Sequence, residues 1–141
     1  MAYVWGKGSL ANYVTLHPKL QKIADRALQS IDLTIVNGWR GKEAQNAAVA
    51  AHLSQTPWPK SKHNAMKNGK PCSRAFDFAL YADWSGTRRA DYPFLFTAGV
   101  LWQCAQDLGI KVRMGWDFNR NMKADDNFLD LDHIELEDSE L

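Results

Sequence analysis

Two of the four histidines in this 141-residue chain, His63 and His133, stand in a loop leading into strands or beside acids, and Asp77 lies between them. Imidazole nitrogens and a carboxylate oxygen are the donors a catalytic zinc takes; three come from protein, and a water in the fourth position is acidified toward neutral pH. His63, Asp77 and His133 could supply such a set. Spacing alone leaves open an ordinary His–Asp surface pair. A water-derived nucleophile also needs a general base, and Asp130-Leu131-Asp132-His133 offers two carboxylates within three residues of the proposed ligand. If His133 points inward on a strand, alternation turns Asp132 to the opposite face, toward solvent or a basic partner. Asp130, curling back from the preceding turn, is then the candidate base. Glu135 shares the face of His133 and either orients its imidazole or forms a salt bridge.

These side chains must be carried by elements the sequence also announces. Leu16, Leu20, Ile23, Ala24, Ala27 and Leu28 recur at helical spacing behind Pro18, which predicts a helix over 17–29. Leu33-Thr34-Ile35-Val36 reads as a strand ending at Asn37-Gly38, with Arg40 just beyond its end. Lys42 to Leu53 is rich in Ala, Gln and Glu and predicts a second helix carrying Gln45. From Ser54 to Ser73 no hydrophobic period survives, which predicts a long surface loop. In Ala75-Phe76-Asp77-Phe78-Ala79-Leu80 the aromatic side faces a core and Asp77 the other face. Pro93 to Leu108 predicts a third helix capped by Gly109, followed by strands over IKVRMGWDF and LDHIEL. With no internal repeat and no linker, the expectation is one α+β domain over 1–141, a small antiparallel sheet with packed helices.

Composition narrows the classes further. At 45% hydrophobic and 11% aromatic residues the chain is ordinary globular protein, which excludes disorder and collagen-like structure. No window approaches the run of about 18 apolar residues that a membrane span requires, and MAYVWGKGSL lacks the pattern of a signal peptide. The expectation is a protein that stays soluble where it is made, without a membrane anchor. Cys72 and Cys104 are too few for a disulfide framework and are read as reduced thiols. The net charge of +1 hides an asymmetry: residues 1–120 hold 16 basic and 8 acidic side chains, whereas 121–141 hold Lys123 against 8 acids. A basic body suits an anionic polymer, and neutralisation of body by tail is the plainer account. Without compact basic runs beyond Arg88-Arg89 and without interleaved aromatics, nucleic acid is not the expected partner. Trp39 and Trp116 are the candidate groove aromatics, and Trp102 falls in helical period and reads as core.

Ser61-Lys62-His63, the Ala75-Phe76-Asp77-Phe78-Ala79 strand and the closing Asp130-x-x-His133 with its Ile134-Glu135-Leu136 strand resemble VanY-type zinc D,D-peptidases, and most closely phage endolysins that are L-alanyl-D-glutamate peptidases. That family carries S-x-H-x-x-G-x-A-x-D and an acid three residues before a C-terminal histidine. Ser61, His63, Ala75, Asp77, Asp130 and His133 match it. WGKGS, HPKLQKIADRAL, TIVNGWR and DLGIKVRMGWDFN extend the likeness over nearly the whole chain. Two departures stand out: His63 and Asp77 are fourteen positions apart where the motif has seven, pointing to a loop insertion in NAMKNGKPCSR, and Ser73 replaces the motif glycine.

The resemblance implies a hedgehog/D,D-peptidase type of fold, Zn2+ held by His63, Asp77 and His133, Asp130 as the base and Arg40 anchoring a carboxylate or steadying an oxyanion. It implies Ser61 and Gln45 as substrate neighbours, bacterial peptidoglycan as partner, a monomer, and residence in the host cytoplasm until lysis. A D-alanyl-D-alanine carboxypeptidase or dipeptidase with the same metal set, and a non-catalytic wall-binding module with a structural metal, remain alternatives. The acidic stretch around Asp125 and Asp126 is either a second ion site, such as one for calcium, or a flexible loop.

Overall fold

Pro18 opens helix α2 (Pro18–Leu28) at its first turn, where a missing N–H costs nothing, and Leu20, Ile23, Ala24, Ala27 and Leu28 form its buried stripe. The computed structural model describes residues 3–82, 86, 90–123 and 130–141. Trp84, the Arg88-Arg89 pair, Asp125 and Asp126 lie outside the described residues. The remaining elements are α1 (Lys7–Tyr13), β1 (Leu33–Asn37), α3 (Lys42–Ala50), β2 (Met66–Lys67), β3 (Lys70–Pro71), β4 (Ala75–Leu80), α4 (Tyr92–Leu108), β5 (Val112–Met114) and β6 (His133–Leu136). Strands β1, β4, β6 and β5 make one antiparallel sheet in that spatial order, and β2 pairs with β3 in a separate hairpin. The fold is α+β, as expected.

One face of the sheet is apolar. Ile35, Phe76, Phe78, Met114, Ile134 and Leu136 join Leu20, Ile23 and Leu101 from α2 and α4 in a single buried cluster. Each fully buried Phe, Ile or Leu contributes roughly 1.5–3 kcal/mol of transfer free energy. Because strand side chains alternate, this core commits Asp77, His133 and Glu135 to the opposite face.

Several elements differ from the sequence reading. Helix α1 was not expected: it has no apolar stripe, and its one buried residue is Ser9, whose hydroxyl accepts the Ile35 N–H at 3.1 Å. The strand expected over IKVRMGWDF stops at Met114, because Gly115 turns the chain. The expected long loop holds a 3-10 turn (Lys62–Asn64) and the β2–β3 hairpin. Asn68 and Gly69, both at positive φ (53° and 75°), form the tight turn of that hairpin. The extra residues between His63 and Asp77 therefore leave and return almost in place: Cys72 N–H donates to Ala65 O at 3.0 Å and Arg74 N–H to Lys62 O at 3.0 Å. Ser73 in the glycine position is buried without a positive φ, and its N–H donates to Thr15 O at 2.8 Å, so no glycine is required there.

His17 caps α2, its Nδ1 accepting the Lys19 N–H at 3.0 Å, which only an unprotonated nitrogen can do. Burial, then the charges of Lys19, Lys67 and Arg74, lower its pKa from the ordinary 6.5. A histidine depressed in the folded state contributes stability that is complete above pH 6.5 and is lost as pH falls through the folded value. Substituting a non-titrating cap, His17→Asn, is expected to flatten the fall in stability between neutral and mildly acid pH, read as the wild-type-minus-variant difference in urea midpoints. His17→Ala at neutral pH is expected to cost about 1 kcal/mol.

Candidate metal centre

Strand register assembles the site. Asp77 on β4 pairs directly with His133 on β6 and, across the other edge, with Asn37 on β1. Without an irregularity Val36 would oppose Asp77; a bulge between Ile35 and Asn37 inserts one residue, leaves Val36 exposed and turns Asn37 onto the polar face. Two residues along β6, Glu135 pairs with Ala75 and with Arg113 of β5, so a second polar row lies beside the first.

His63 joins from the 3-10 turn packed against β4. Ser61 caps that turn, its hydroxyl accepting the His63 N–H at 3.2 Å, while Asn64 Oδ1 accepts the Ser61 N–H at 3.1 Å. His63 Nδ1–H donates to Gly38 O at 2.8 Å, which leaves Nε2 facing Asp77 Oδ1 at 3.4 Å. His133 Nδ1 approaches the same Oδ1 at 3.2 Å, and its Nε2–H donates to Glu135 Oε1 at 2.9 Å. One donor atom each from His63, Asp77 and His133, all three residues buried, lies within 4.8 Å of the others. Two imidazoles and a carboxylate, each with its second polar atom occupied by a protein partner, are the donor set that a zinc-type ion takes.

Asp77 Oδ2 is held separately by Arg40 Nη2 at 2.7 Å and Asn37 Nδ2 at 3.2 Å. Burial pushes the Asp77 carboxyl up, but the imidazoles of His133 and His63 beside it outweigh burial and hold the group well below the carboxylate range. Burial opposes the charged form of His133, yet Asp77 and Glu135 raise its pKa to about 9. Glu135 is pushed up by burial and pulled further down, to about 2, by His133 and Lys62.

Asp130 Oδ2 lies 3.7 Å from His133 Nδ1. Burial and a hydrogen bond with Asp132 push its carboxyl up to about 8, against the opposing charge of His133. Asp132 corrects the sequence reading: it does not turn away, and its carboxylate gathers with those of Asp77 and Asp130. β6 begins at His133, so strand alternation does not reach back to Asp132, which sits in the preceding turn. Gly115 makes this turn possible. A Cβ there would stand 1.8 Å from Asp130 O and 2.9 Å from His133 Cβ, so any side chain would displace both residues.

A cavity of about 420 Å³ opens beside the cluster, walled by Arg40, Ser61, His63, Phe118, Asp130 and His133 among others. Gln45 is not on this wall. It is fully buried, its Oε1 accepting from Asn64 at 3.1 Å and Arg40 at 3.4 Å and its amide donating to Ser54 and Thr56, so it braces Arg40 from behind. Trp116 packs against the hydrophobic core, and Trp39 donates its indole N–H to Asn64 O at 3.3 Å, edge-on to Trp58. Sequence reasoning missed Asn37, Lys62, Asn64 and Arg113. Only Asn64 had a local signal, the Ser61-x-x-Asn64 spacing of a capping box.

A sequence profile described as Phage L-alanyl-D-glutamate peptidase matches residues 1–137. A relative from Escherichia phage T5 named L-alanyl-D-glutamate peptidase is 34% identical in an alignment covering 96% of this chain and 99% of its own. The crystal structure of Serratia marcescens L-Ala D-Glu endopeptidase ChiX has the same fold, with a TM-score of 0.64 and 22% identity over 93% of this chain and 87% of that one.

Proposed function

This chain belongs to the phage L-alanyl-D-glutamate peptidase family, and from that premise we propose that it is a zinc-dependent peptidoglycan hydrolase cutting the stem peptide between L-alanine and D-glutamate. The observation that carries the reading is the convergence of His63, Asp77 and His133 on one point, with Asp130 beside them on a cavity wall. When bound, zinc supplies the Lewis acidity that polarises a scissile carbonyl and brings a water's pKa toward neutrality.

The chain's own residues do the rest. Asp130 takes a proton from the attacking water and, as the C–N bond breaks, returns it to the leaving amine of D-glutamate. Its place on the cavity wall, 3.7 Å from His133, puts it within reach of both transfers. Arg40 holds Asp77 and keeps its guanidinium on the cavity wall, where a fixed cation stabilises the oxyanion. Ser61 sets the turn that aims His63 and borders the bound peptide. The protein acts as a monomer on the bacterial cell wall after release from the host cytoplasm, with no nucleic acid in its cycle. Among the described residues no helix is long and apolar enough to cross a membrane.

Mass spectrometry of defined muropeptides incubated with zinc-loaded protein, beside a chelated control, tests the proposal. Chelator-sensitive release of N-acetylmuramoyl-L-alanine fragments is expected. Free D-alanine would instead identify a carboxypeptidase, and no product with zinc bound would identify a wall-binding module.

A further inference from the structure

The cavity wall beyond the metal ligands carries more positive charge than its acids neutralise. Glu135 is a single carboxylate, yet its Oε2 receives Lys62 Nζ at 2.8 Å and Arg113 Nη2 at 2.9 Å, while its Oε1 is taken by His133. The other acid near Lys62 is Asp138, at 3.4 Å, whose side chain is 88% exposed and therefore screened by water. Arg113 spends Nε and Nη2 on Glu135, and its Nη1 has no hydrogen-bond partner among the described residues. The guanidinium lies 5.3 Å from the Phe118 ring centroid, and both residues face the cavity. Lys60, exposed on the same rim, has no acidic partner among the described residues.

A glutamyl residue acylated on its amine keeps two carboxyl groups, and a peptide continues through only one. The other is a free carboxylate or a primary amide. We propose that Arg113 and Lys60 form the subsite for that free carboxylate, so that the enzyme discriminates against stem peptides in which it is amidated. This rests on the peptidase reading above. The physical basis is the cation surplus: a planar guanidinium with an unused N–H edge, oriented by Glu135 and Phe118, matches a carboxylate, whereas an amide offers it no charge. Discrimination works in both directions, since the amide also presents its own N–H donors to a cationic wall.

The test compares two stem peptides differing only in amidation of that carboxylate, with wild type, Arg113→Gln and Lys60→Gln, and reads the ratio of kcat/KM. Wild type is expected to favour the carboxylate peptide at least about tenfold, the size of one well-made charge contact. In Arg113→Gln the ratio is expected to collapse toward unity even where the absolute rate falls through the disturbed Glu135, and in Lys60→Gln to shrink through loss on the carboxylate peptide. A wild-type ratio near unity overturns the subsite. Equal loss on both peptides in Arg113→Gln, with the ratio kept, assigns Arg113 to positioning Glu135 alone and overturns its role in recognition. Cleavage of neither peptide by zinc-loaded wild type overturns the peptidase reading itself, and the subsite with it.

Discussion

Replacing His63 with alanine is expected to abolish zinc binding and hydrolysis together while leaving the fold intact. His63 is 3% exposed, and its ring is fixed by the Gly38 carbonyl so that Nε2 has one direction to face. Loss of a direct ligand from a three-ligand set costs more affinity than loss of a partner that only orients a ligand, which is typically about 10–100-fold. The residual pair, Asp77 and His133, cannot close a tetrahedral site. The fold survives because the cluster that holds the sheet together lies on its opposite face and does not include His63. Asp77, moreover, keeps Arg40, Asn37 and His133 as partners. Titration with cobalt(II), followed by its visible absorption, reads metal binding without reference to activity, and circular dichroism reads the fold. Tight cobalt binding by the variant would remove His63 from the ligand set.

Asp130→Asn is expected to separate what His63→Ala removes together: metal binding kept, turnover reduced by about 10²–10⁴. The substitution preserves shape on the cavity wall and deletes only the ability to accept and return a proton. Asp130 stands 3.7 Å from His133 and is not one of the His63–Asp77–His133 donors, so the substitution leaves all three ligands in place. Because the interaction is one made in the transition state, kcat is expected to fall with KM nearly unchanged. Hydrolysis at near wild-type kcat by the zinc-loaded variant would exclude Asp130 as the base.

Local periodicity was enough to read most of the fold. The stripe of α2, the alternation of β4 and the Gly109 cap depend on neighbours within a turn or a few residues, and each lies where the pattern predicts. Where local signals were absent or overlooked, the reading failed. Helix α1 buries a serine rather than an apolar stripe. The β2–β3 hairpin had its signal in Asn68-Gly69, but its strands are two residues each and show no alternation. Strand alternation does not extend to Asp132, which lies in a turn, and Gln45, which the resemblance implies as a substrate neighbour, is fully buried and braces Arg40 from inside.

The sequence by itself determined which side chains can ligate a metal or move a proton, because donor type is a property of the residue and the order of His63, Asp77, Asp130 and His133 is written in the chain. It also determined that Asp77 must leave the core face, since Phe76 and Phe78 on either side of it occupy that face. Only the tertiary structure decided what surrounds them: the bulge that turns Asn37 onto Asp77, the Gly115 contact that brings Asp130 to His133, and the register that sets Arg113 beside Glu135. These are pairings between strands distant in sequence, fixed by hydrogen-bond register and close packing across the sheet, and no local pattern of residues encodes them.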